Sequence, residues 1–222
     1  MDRHLFLFGG GPPFTSKLAK QFAKQVSTHG GKVALLILER ANWQEYMPKY
    51  TNTLMEQGIR EFNYISLPTV SAEEASRILR NSSGIIIGGG NTELYAEFIV
   101  KTPISKVLKE QFSDGVPIAG FSAGSLICMD KCIVSAKDNA DQVFKYQAGL
   151  GLLKDTVIAV HFSEWIEESH LRKAVTLFQP SLNFGIDEGT GLYFLNNKLI
   201  GREGNGVFRL KNNQLEKIEM QL

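Results

Sequence analysis

Short apolar runs alternate with amphipathic segments through the first two thirds of the chain, and this alternation constrains the fold more than any other feature. Residues 5–8 (Leu5, Phe6, Leu7 and Phe8) read as a buried strand, which Gly9-Gly10-Gly11-Pro12-Pro13 cannot continue. Between Ser16 and Thr28, Leu18, Phe22 and Val26 recur at four-residue steps with lysines between them, the stripe of a helix that Gly30-Gly31 stops. Residues 32–38 read as a second strand, 43–57 as a second helix and 61–66 as a third strand. Ser71, with Glu74 three residues on, forms a capping box for a helix running to Asn81. Residues 84–87 form a fourth strand, and Gly88-Gly89-Gly90-Asn91 leads into another helix. A fifth strand, 118–121, runs directly into Ser122-Ala123-Gly124. Strands separated by helices of this length need right-handed crossovers. The expected fold is therefore α/β, a three-layer sandwich with a mainly parallel central sheet and helices on both faces.

The tail changes character. Residues 192–195 and 198–200 flank Asn196-Asn197, and 207–210 and 215–218 flank a turn around Asn212-Asn213. Asparagine tolerates positive φ, so both read as C-terminal β-hairpins added to the sheet edge. No linker, repeat or low-complexity run interrupts the sequence, and residues 1–222 read as one domain. A chain of this size buries roughly 70% of its unfolded surface and needs no staples.

Composition removes several classes of function. Apolar residues at 43% and charged residues at 21% exclude a disordered chain. Lys plus Arg (24) against Asp plus Glu (23) leaves a net charge of +1, no broad field for nucleic acid or an acidic membrane. No run approaches the ~18 apolar residues of a membrane span, and residues 5–8 are too short for a signal-peptide core. The expectation is a soluble, cytoplasmic protein without nucleic-acid or membrane partners. Cys128 and Cys132 lack CxxC spacing; on a helix they would share one face as buried thiols in a reducing compartment.

In parallel sheets ligands bind beyond the carboxyl ends of the strands. The loops after Phe8, Ile87, Phe121, Val160 and Asp187 hold the unusual residues. Gly120-Phe121-Ser122-Ala123-Gly124 is a G-x-S-x-G between a strand and a helix, the composition of a nucleophile elbow, whose sharp turn lifts the serine hydroxyl clear of the sheet. The Ala123 amide, at the helix start, is placed to stabilise an oxyanion, and Gly90 in the neighbouring loop offers a second donor. Neither glycine loop completes a dinucleotide pattern, because Phe14 and Glu93 stand where the last glycine would be, and no phosphate-binding P-loop occurs.

Of four histidines, His4 precedes the first strand and His29 ends a helix. His161 ends the apolar run 157–160 and is preferred as base over His170, which lies in the following helix and reads as solvated. The carboxylate that orients the base comes from Asp187-Glu188, of which alternation lets only one reach the histidine, or from Asp138 or Asp141 in the polar stretch 135–142. The histidines lack the close pairing of a metal-ligand cluster, so neither metal nor cofactor is expected.

Taken together, residues 88–91, 120–125, His161-Phe162 and Gly185-Ile186-Asp187-Glu188 resemble the peptidase E and cyanophycinase family of serine peptidases. The similarity runs in register from Leu5 to about Leu195 and includes Gly149-Leu150-Gly151-Leu152-Leu153. The resemblance implies the class I glutamine amidotransferase-like (flavodoxin-like) fold. It implies Ser122 as nucleophile, His161 as general base and Glu188 as acid, with Asp138 the alternative acid and Gly90 and Ala123 as oxyanion donors. It also implies dipeptides with N-terminal aspartate as substrates, Asn91 among the substrate-binding residues, and a cation for the aspartyl carboxylate; Arg172, Lys137 and Arg202 are the candidates by proximity to the site segments. Cyanophycinase-like members carry Asp-Gln before the histidine, where this chain has Ala159-Val160. An esterase or amidase on the same elbow, and a non-catalytic binding module, are the competing expectations. Either a monomer or a homodimer fits.

Overall fold

The computed structural model describes residues 1–219 and 221–222. The first half comprises β1 (His4–Phe8), α1 (Ser16–Thr28), β2 (Lys32–Leu38), α2 (Trp43–Tyr46), α3 (Pro48–Glu56), β3 (Glu61–Leu67), α4 (Ala72–Arg80), β4 (Gly84–Ile87), α5 (Thr92–Tyr95) and α6 (Pro103–Ser113). Then follow β5 (Ile118–Phe121), α7 (Ala123–Cys128), β6 (Lys131–Val134), β7 (Lys145–Ala148), β8 (Thr156–Val160), α8 (Glu168–Phe178) and β9 (Leu182–Ile186). The tail holds β10 (Gly191–Leu195), β11 (Lys198–Glu203), β12 (Val207–Lys211) and β13 (Gln214–Lys217). Among these residues no helix is long and apolar enough to cross a membrane.

The main sheet has the order β11-β10-β1-β5-β4-β2-β3. Its five strands from β1 to β3 are parallel, and β10 and β11 join antiparallel at the β1 edge. Successive strand residues face opposite sides, so each central strand feeds two cores. Leu5 and Leu7 of β1 enter one, and Phe6 and Phe8 enter the other beside Phe22 of α1. Burial on both faces explains why these strands read as continuous apolar runs. Ser71 caps α4 by accepting a hydrogen bond from the Glu74 amide.

In its fold the structure departs from the sequence reading in several places. The helix over 43–57 is two helices, because Pro48 offers no amide to continue α2 and instead starts α3. The second hairpin, β12–β13, is not at the main sheet edge: β12 pairs with β9, giving a separate sheet β13-β12-β9-β8. Cys128 and Cys132 do not share a helix face, because α7 ends at Cys128 and Cys132 lies in β6. Both thiols are buried, and burial pushes Cys132 up to about 12. His4 lies within β1, its Nδ1 2.7 Å from the Tyr193 hydroxyl.

Candidate active site

Strand β5 lies between β1 and β4, so its carboxyl end emerges between two glycine loops, Gly9-Gly10-Gly11 and Gly88-Gly89-Gly90. Ser122 stands at this point with φ 50° and ψ −112°, a strained conformation for a residue with a side chain. The flanking glycines make the turn possible. A methyl group on Gly120 would lie 2.5 Å from the Gly124 carbonyl oxygen, and one on Gly124 would collide with the Ile87 carbonyl. Ser125 pins the elbow: its buried hydroxyl accepts the Phe8 amide at 2.9 Å and faces the Phe8 and Gly120 carbonyls at 2.8 and 2.6 Å. The Ser122 amide donates to the Phe8 carbonyl at 3.0 Å. Because backbone atoms close in on Gly124, Gly124→Ala is expected to lower stability by about 3 kcal/mol, read as a fall in the urea midpoint.

Ala123 opens α7, so its amide has no acceptor within the helix and points outward from the first turn. On the neighbouring loop, the Gly89 amide is committed to the Tyr50 hydroxyl at 2.9 Å, which leaves Gly90 as the next donor. Gly89 flanks the elbow: a methyl there would meet Ser122 Cβ at 3.6 Å, ordinary van der Waals contact. Asn91 caps α5, its side-chain oxygen accepting the Leu94 amide at 2.9 Å.

His161 follows β8 in the second sheet. Its amide donates to the Gly9 carbonyl at 2.8 Å, and its backbone is also left-handed, with φ 48°. Nε2 lies 2.8 Å from Ser122 Oγ and Nδ1 lies 2.6 Å from Glu188 Oε1. The imidazole stacks on Trp165, ring centroids 4.3 Å apart. Carboxylate at Nδ1 fixes the proton there and leaves Nε2 to accept the serine proton. Asp187 points the other way, buried, and accepts the Ser163 amide at 3.0 Å. Asp141 pairs with Lys145 at 2.6 Å. Asp138 accepts the Thr92 hydroxyl at 2.6 Å rather than a histidine N–H, and burial raises its pKa.

The sequence-selected cations are engaged elsewhere. Arg172 of α8 binds the Glu168 carboxylate (2.7 Å) and the Asn213 carbonyl (2.9 Å), away from Ser122. Arg202 is buried, donating to the Ile218 and Gly204 carbonyls. Lys137 donates to the Trp165 carbonyl. Sequence reasoning missed Arg40, which lies 4.7 Å over the Tyr46 ring and lines a groove of about 240 Å³ that runs past Gly89, Gly90 and Asn91. Trp165, Tyr50 and Ser125 were missed as well; of these, only Ser125, adjoining the elbow motif, carried a local signal.

His170 is not solvated. Its side chain is 9% exposed beside Phe144, and burial, helped by Lys173, drops its pKa to about 4. The nearest carboxylate oxygen, Glu167 Oε2, is 3.8 Å from Nδ1, too far for a hydrogen bond. The unfolded chain binds a proton here near pH 6.5 and the native state only near 4, so this contribution is whole above about pH 6.5 and lost as pH falls towards 4. Wild type is expected to lose about 2 kcal/mol more stability than His170→Gln between pH 7.5 and 5, measured by urea unfolding of both proteins. Glu167, whose pKa is raised by burial, titrates in the opposite sense, and because it faces His170 at 3.8 Å the comparison is repeated in a Glu167→Gln background.

A sequence profile of peptidase family S51 matches residues 5–201. The cyanophycinase of Synechococcus elongatus is 24% identical over 152 residues, 65% of this chain and 47% of that protein. A peptidase E from a Nostoc species is 25% identical over 186 residues, 79% of this chain and 74% of its own. Thus the chain spans about half the length of the curated cyanophycinase it matches. A crystal structure of a peptidase from an acI-B1 actinobacterium superposes with a TM-score of 0.74 at 21% identity, covering 98% of this chain and 94% of that one.

Proposed function

The chain belongs to peptidase family S51, and from that premise we propose that it is a serine peptidase acting on small peptides through Ser122, His161 and Glu188. The observation that carries this reading is the relay of contacts, 2.8 Å from Ser122 Oγ to His161 Nε2 and 2.6 Å from His161 Nδ1 to Glu188 Oε1. As Ser122 Oγ attacks the scissile carbonyl, its proton passes to Nε2, and the developing oxyanion is held by the Gly90 and Ala123 amides. The imidazolium, stabilised by Glu188, protonates the departing amine and leaves an acyl-enzyme. Water then attacks the ester, giving its proton to Nε2, and the carboxylic product leaves as Ser122 recovers its proton.

Dipeptides with N-terminal aspartate are the proposed substrates, and Arg40 at the rim of the groove beside Gly90 is the proposed partner of the aspartyl carboxylate. Hydrolysis of aspartyl dipeptides, their asparaginyl counterparts and p-nitrophenyl acyl esters tests this. Preference for the aspartyl series supports it; turnover of the esters alone makes the protein an esterase on the same elbow. Binding of aspartyl peptides without turnover makes it a non-catalytic module.

A further inference from the structure

A small cavity beside the nucleophile is lined by Ser122, Ser135, Asp138, Trp165, Glu167 and His170, with apolar side chains of α7, β6 and β8 completing the wall. It has two carboxylates and a volume of about 10 Å³, room for about one water-sized group. Glu167 is 4% exposed; its Oε1 accepts the Ser135 hydroxyl at 2.8 Å, while its Oε2 is fully buried with no hydrogen-bond partner among the described residues. Across the cavity, Asp138 has Thr92 as its hydroxyl donor. Neither carboxylate forms an ion pair with Lys or Arg among the described residues: Lys137, the nearest in sequence, is turned to the Trp165 carbonyl. A buried carboxylate oxygen without a donor is costly, and a site that keeps one beside a nucleophile is built to receive a donor.

We propose that this cavity is an ammonium subsite, in which Glu167 and Asp138 receive the free α-amino group of the substrate's first residue. The proposal rests on the reading of Ser122 as nucleophile and specifies how a peptide is presented to it. Size selects the ligand: an ammonium group fits a water-sized space, whereas a lysine or arginine side chain does not. Register follows from covalent geometry. The α-nitrogen is two bonds from the first carbonyl carbon, so seating it beside Ser122 brings only that carbonyl to the hydroxyl. The enzyme then removes the first residue and leaves interior bonds untouched. Burial raises the pKa of both carboxyls, outweighing the opposing charge of His161 on each and of Lys137 on Glu167.

The test is calorimetric binding to the Ser122→Ala protein, which binds without turnover. The probes are the dipeptide Asp-Leu and succinyl-leucine, the same molecule lacking the amine. Asp-Leu is expected to bind about 10-fold or more tightly, and Glu167→Gln in the same background to reduce the preference to within about 2-fold. Glutamine keeps the Ser135 bond, and thermal unfolding reports whether the variant folds. Asp138→Asn gives the same reading should Glu167→Gln fail to fold. Equal binding of the two probes, binding of neither, or a preference indifferent to both substitutions overturns the subsite. Failure of wild type to hydrolyse any peptide, with the binding preference intact, would instead remove the nucleophile reading and leave the subsite standing.

Discussion

Ser122→Ala is expected to lower the proposed aspartyl-dipeptide hydrolysis by about 10⁴-fold or more while leaving the fold intact. The size of the loss follows from the relay. Without the hydroxyl no acyl-enzyme forms, and what remains is the acceleration supplied by binding and the oxyanion amides, which water exploits poorly. The fold survives because Ser122 Oγ makes a single hydrogen bond among the described residues, to His161, whereas the elbow is held by backbone bonds and by the Ser125 hydroxyl. Single-turnover kinetics with circular dichroism checks both halves of this expectation. Retention of wild-type turnover would contradict the mechanism, and loss of the folded signal would leave the rate uninterpretable until Ser122→Cys was compared.

The second large effect separates the two carboxylates near His161. Glu188→Gln is expected to lower kcat about 10²- to 10⁴-fold with KM little changed. An amide at this position is free to present its N–H to Nδ1 and so favour the tautomer whose Nε2 already carries a proton. Asp138→Asn is expected to act on KM, because Asp138 bonds Thr92 and faces the proposed ammonium subsite rather than the ring nitrogen. Steady-state kinetics on the two variants distinguishes the roles: a kcat collapse in Asp138→Asn with a mild effect in Glu188→Gln would make Asp138 the triad acid.

The parallel core was legible because buried strands are short apolar runs bounded by glycines; β2, β4 and β5 stand where the sequence placed them. Strands β6 and β7 left no such trace, since β7 is the polar, half-exposed Lys-Tyr-Gln-Ala. Nor does local pattern reveal which sheet a hairpin joins: the β12–β9 pairing connects residues far apart in sequence and is decided by tertiary packing. Within the site, Ser122 and His161 could be singled out because each stands at a strand's carboxyl end, whatever sheet the strand belongs to; the same position offered Asp187 and Glu188 alike, and only the family resemblance chose Glu188. Glu167 and His170 could not. In sequence they are a charged helix start and a polar helix residue, and only the packing of β6, α8 and Trp165 around them shows both to be buried.

Mass spectrometry after fluorophosphonate treatment, comparing wild type with His161→Ala, tests the central claim most directly. The account predicts one adduct, on Ser122, that disappears without His161. No adduct on the folded wild-type protein, or labelling of Ser122 that survives His161→Ala, would contradict it.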